Sequence, residues 1–174
     1  MSHYLFRGIE FAQGYGVPEE LQATVAELAE HCRAYRSGEE EMTDYPYVPA
    51  LLAVLRDCRV PEGHVFNWVT ELVNEGADAT EPLEDGRTAL HLARSARLVD
   101  YLLEQGCDVD ARDDAGRTPL HECATTGAAE LMLDAGADIN AEDEDGCTPL
   151  DCARRAGRRE VARLLTQHGG ESSL

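Results

Sequence analysis

The chain has 174 residues, 43% of them hydrophobic, and a formal net charge of −19. That length supports one or two domains with a sizeable core, and no apolar run approaches the ~20 residues needed to span a bilayer. So large a negative charge repels nucleic-acid phosphates and anionic membranes, which argues against both as partners and favours a basic protein surface.

The first seventeen residues place Tyr4, Leu5, Phe6, Ile9 and Phe11 among Gly8, Gly14 and Gly16, which interrupt any long helix. They lack the charged and apolar regions of a leader, so the expected location is cytoplasmic. A helix follows. Pro18 suits a first turn, Glu19 and Glu20 favour its positive end, and Leu21, Val25, Leu28 and Cys32 fall on one face before Ser37-Gly38 stops it. Residues 39–44 read as an exposed acidic linker. A short apolar helix is expected over residues 50–57. After a loop with Pro61 and Gly63, another carries Val65, Trp68, Val69, Leu72 and Val73 and ends at Gly76.

From here the chain echoes itself. Asp85-Gly86-Arg87-Thr88-Ala89-Leu90-His91 returns as Ala115-Gly116-Arg117-Thr118-Pro119-Leu120-His121 and as Asp145-Gly146-Cys147-Thr148-Pro149-Leu150-Asp151. Gly76-Ala77-Asp78, Gly106-Cys107-Asp108 and Gly136-Ala137-Asp138 keep the same interval. Such self-similarity means stacked supersecondary units. Each unit predicts a Gly-centred turn, a short helix opening at Thr, and a Leu-rich second helix stopped by Gly.

These residues resemble ankyrin repeats, over about residues 76–169. The resemblance implies an all-α solenoid of paired antiparallel helices with β-hairpin fingers. Thr88, Thr118 and Thr148 match its helix-opening Thr, Pro119 and Pro149 its first-turn Pro, and His91 and His121 the His that links neighbouring fingers. Residues 1–44 are expected to form a helical cap. The array occupies 45–174, with a degenerate repeat at 45–79 and clear repeats at about 80–110, 111–140 and 141–170. The family period is about 33, so the first two clear repeats are short by three. The gap is expected between the paired helices, around Ser95-Ala96 and Thr126-Gly127, where the family has a turn.

The six cysteines, Cys32, Cys58, Cys107, Cys123, Cys147 and Cys152, contain no C-x-x-C pair and are expected to be reduced thiols. No metal-ligand spacing, phosphate-cradling Gly loop or nucleophile–base motif is present, so neither enzyme nor cofactor is expected. Binding by fingers and by the concave face of the first helices is what the resemblance implies. The candidate binding residues are Glu84, Asp85 and Arg87 in one finger, then Arg112, Asp113, Asp114 and Arg117, then Glu142, Glu144 and Asp145. Ser95, Thr125 and Arg155 are expected on the concave face. The expected partner is a basic-surfaced protein, such as a toxin or enzyme encoded nearby that this chain, monomeric when free, inhibits as an immunity protein. The other function classes are a host-directed adaptor, suggested by the absence of Lys among fifteen basic residues, and a nucleic-acid-mimicking inhibitor.

Overall fold

A computed structural model describes residues 62–74, 78–82 and 85–173, divided between two units, Met1–Asp78 and Ala79–Leu174. The expected cap, the linker, the helix over 50–57 and Glu84 lie outside the described residues. In the first unit, α1 spans Glu62–Asn74 and buries Val69 completely. It starts at Glu62, so Gly63 sits within the first helical turn and not in the preceding loop.

The second unit alternates short and longer helices: α2 (Ala89–Leu92), α3 (Ala96–Glu104), α4 (Pro119–Glu122), α5 (Thr126–Asp134), α6 (Pro149–Arg155) and α7 (Arg159–Gln167). First helices α2, α4 and α6 stack in one row, and second helices α3, α5 and α7 in another. The core lies between the rows, built from equivalent positions. Leu90, Leu120 and Leu150 fill it from the first helices. Leu98, Val99 and Leu102 become Ala128, Ala129 and Met132, then Val161, Ala162 and Leu165. The middle helix α5 has neighbours on both sides and carries the small residues. A Cβ on its Gly127 would lie 3.3 Å from the Ala96 Cβ, so α3 and α5 pack closely.

The second helices end at Gly106, Gly136 and Gly169, each with positive φ. The following N–H groups of Cys107, Ala137 and Gly170 bond back to Leu102, Met132 and Leu165, closing the helix ends in the manner of a Schellman motif.

The three missing residues are not where the turn was expected to be trimmed. Each pair is joined by three residues, 93–95, 123–125 and 156–158. Each second helix has nine residues, whereas the first helices have four, four and seven. The short repeats have therefore lost the last turn of the first helix. Ser95 and Thr125 are consequently the N-caps of α3 and α5, not first-helix residues.

A helix shortened in this way exposes its last carbonyls. Thr125 Oγ1 donates to Arg94 O at 3.4 Å. At the equivalent N-cap position one repeat later, the Arg158 guanidinium donates to His121 O and Cys123 O at the end of α4.

Candidate functional site

In two of the three clear repeats the finger leads into a buried triad of Thr, His and carbonyl. Thr88 and Thr118 have the extended backbone of an N-cap. The third residue of a helix can bond back to the N-cap N–H, a place usually taken by Glu or Gln. Here His91 Nδ1 accepts from Thr88 N–H at 3.1 Å, and His121 Nδ1 from Thr118 N–H at 3.1 Å. Their Nε2 atoms face Arg117 O at 2.9 Å and Cys147 O at 3.1 Å in the next finger. A carbonyl can only accept, so Nε2 carries the proton and both rings are neutral. Burial pushes both imidazoles below their ordinary pKa, against opposing contributions from the carbonyl bonds.

The finger turns are set by aspartates. Asp113 Oδ1 accepts from the N–H groups of Ala115 and Arg117, both at 2.9 Å. Asp143 Oδ1 accepts likewise from Asp145 at 3.0 Å and Cys147 at 2.8 Å. In the second and third fingers the turn is closed by two backbone bonds, Asp113 N–H to Arg117 O with Gly116 N–H to Asp113 O, and Asp143 N–H to Cys147 O with Gly146 N–H to Asp143 O. That is too short a run for a ladder, and among the described residues the fingers are turns without strands. Neighbouring fingers are joined by Asp114 N–H to Asp85 O and Glu144 N–H to Ala115 O.

This construction divides the predicted residues. Asp114, Glu142, Glu144 and Asp145 are exposed, with no ion pair among the described residues. Asp85 is half-buried. Asp113 departs from the expectation of an exposed binding residue, because its side chain is 2% exposed. Its carboxylate is consumed by the turn, by Arg117 at 2.6 Å and by Arg87 at 3.6 Å. Although burial pushes the Asp113 carboxyl up, the bonds from Arg117 and Ala115 outweigh it and hold the group below its ordinary value.

Arg87 and Arg117 are also engaged internally, both reaching Glu122 Oε1, at 2.8 and 2.9 Å. Both are expected from the sequence as binding residues, and both guanidinium groups are paired within the array. Arg112 is exposed but tied to two carbonyls, Gly116 O at 2.8 Å and Glu142 O at 2.7 Å, so it braces adjacent fingers. Thr125 is exposed and Ser95 half-buried, and both belong to the inter-helix edge. Arg155 is exposed on α6, with Nη2 3.1 Å from Cys147 Sγ.

Sequence reasoning missed Glu122, which neutralises two arginines, and Asp151, which replaces the repeated His. It also missed the tail. Glu171 N–H donates to Asn140 Oδ1 at 2.8 Å, Ser172 Oγ donates to Asp151 Oδ1 at 2.5 Å, and Ser173 N–H donates to Asp151 Oδ2 at 3.0 Å. The change from His to Asp was a visible signal. A donor aimed at the next finger's carbonyl has become an acceptor, so the segment meeting it must bring donors.

Among the described residues, no group of three or more His, Cys, Asp or Glu is placed to hold a metal, and Cys107, Cys123, Cys147 and Cys152 are free thiols. None of the described helices is long and apolar enough to cross a membrane. The turns form a row joined by backbone bonds, with exposed carboxylates on adjacent tips. A family model described as ankyrin repeats (3 copies) matches residues 58–143 and 95–173. No curated protein matches the chain.

Proposed function

The chain belongs to the ankyrin-repeat family, a protein-interaction module, and from that premise we propose that its acidic fingers hold and inhibit a basic-surfaced partner protein, in the manner of an immunity protein. The observation that carries this reading is the set of exposed carboxylates on Asp114, Glu142, Glu144 and Asp145, which have no ion pair among the described residues. Asp113 and Asp143 close the loops, which leaves Asp114, Glu144 and Asp145 exposed at the tips and Glu142 exposed just before its turn. Held on turns joined by backbone bonds, those charges lose little freedom on binding, and a preorganised patch loses less affinity to ordering. Their main contribution is to encounter rate and orientation. Apolar or aromatic contacts elsewhere supply most of the affinity.

The test begins with capture of a partner from the native source, followed by its identification. Association of the purified pair is then measured against ionic strength. The expected association rate falls about tenfold or more between low and high salt, and Asp114→Ser with Asp145→Ser reproduces much of that loss. A rate indifferent to both salt and these substitutions would remove the acidic fingers from the interface.

A further inference from the structure

The C-terminal tail is held by a hydroxyl. It stays in register with the repeat through Glu171, whose N–H meets Asn140 as Asp138 N–H meets Asp110 Oδ1 one repeat earlier, at 3.0 Å. It then turns onto the last first-helix. Thr148 Oγ1 lies 2.8 Å from Glu171 O and 3.0 Å from Asp151 Oδ2. Thr148 and Asp151 are 2% and 4% exposed. The partners of the Asp151 carboxylate are the Thr148 N–H and hydroxyl, the Ser172 hydroxyl and the Ser173 N–H. All are neutral donors, and among the described residues no guanidinium pairs with the charge. Ser172 itself lies in an exposed stretch, next to acidic Glu171.

We infer that residues 170–173 form a releasable strap across the end of the array, and that phosphorylation of Ser172 opens it. A serine kinase would transfer the γ-phosphoryl group of a nucleoside triphosphate. The Oγ–P bond forms as the bond to the leaving diphosphate breaks, and the hydroxyl proton passes through the kinase's base to water. The product has lost the donor that met Asp151 and has gained nearly two negative charges facing a buried carboxylate. A phosphate beside Asp or Glu disrupts by repulsion and by desolvation. Opening uncovers the Thr148–Asp151 end of the array, which the closed strap occupies. Ser173 is the internal control, since among the described residues the strap uses its N–H and not its hydroxyl.

The test follows amide exchange by NMR in the full chain, comparing wild type with phosphoserine installed at position 172, Ser172→Thr and Ser173→Glu. The Ala137 amide, bonded to Met132 O within the array, reports that the repeats remain folded. In the phosphoserine chain, exchange at Glu171 and Ser173 should rise to within about threefold of an unstructured peptide, because a released strap has no local protection. Ser172→Thr keeps the hydroxyl and should retain wild-type protection, as should Ser173→Glu. Wild-type protection in the phosphoserine chain would overturn the inference. So would equal loss in Ser173→Glu, which would make the effect one of nearby charge in general.

Discussion

Replacing Asp151 with His would make the third repeat match the first two, yet the structure predicts that Asp151→His is destabilising. Burial pushes the Asp151 carboxyl up, but bonds from Ser172, Ser173 and Thr148 outweigh it and hold the group at about 2, against an ordinary 3.8. That gap corresponds to roughly 2 kcal/mol of stability at neutral pH. Thr148's part survives the substitution, because His91 and His121 make the same bonds to Thr88 and Thr118. The part from Ser172 and Ser173 does not, since Nε2–H would face two donors. The expected loss is about 1–2 kcal/mol, which at a slope of about 2 kcal/mol/M lowers the urea midpoint by about 0.5–1 M with the slope unchanged. The sign with pH follows from the depressed pKa. The wild-type contribution is complete above the unfolded value of 3.8 and is lost as the pH falls through about 2. The wild-type midpoint should carry this loss between pH 4 and 2, and the His variant should lack it. A variant as stable as wild type, or more stable, would refute the donor–acceptor argument.

Three further outcomes are expected. The buried imidazoles of His91 and His121 have folded pKa values below the ordinary 6.5, so the unfolded chain takes up protons first and stability declines as the pH falls below about 6.5. Urea midpoints across pH 7 to 5 should show this slope, and it should flatten in the double His→Gln variant. Asp113→Ala removes two backbone caps and two arginine contacts and should cost about 2–4 kcal/mol. Asp145→Ser, on an exposed tip, should stay within about 0.5 kcal/mol by the same unfolding assay. Gly86→Ala places a Cβ 2.8 Å from Asp114 N at φ +71°, whereas Gly146→Ala, at φ +73°, meets nothing within 4 Å. Calorimetric melting should therefore show the larger loss for Gly86→Ala, with Gly146→Ala showing only the cost of the left-handed backbone, about 1 kcal/mol.

The stack was legible in the sequence because its signals are local and repeat. Thr before a helix, Leu two residues on and Gly after the second helix each act within one turn of chain. The division of the acids was harder to see, since Asp113 and Asp114 are the same residue type side by side. Only the turn geometry decides that Asp113 points inward to close the loop and Asp114 remains outside. The position of the shortening was obscured for another reason. A deficit of three residues has no location in a one-dimensional period, and the clue lay in Ser95 and Thr125 as N-cap residue types. The tail escaped because its partner, Asp151, is distant in sequence and its own residues are ordinary surface types.

The finger bonds also define how the array could be lengthened. His91 reaches Arg117 O and His121 reaches Cys147 O, each across 26 residues. The block from Arg117 to Gly146 therefore carries both a plug, the His121 donor, and a socket, the Arg117 carbonyl that receives His91. Duplicated in place, that block would splice into its neighbours with every junction satisfied. Added beyond Asp151 it would meet a carboxylate where its carbonyl expects a proton donor. Among the described residues the array is modular in its interior, and Asp151 breaks the pattern that a further repeat at this end would need.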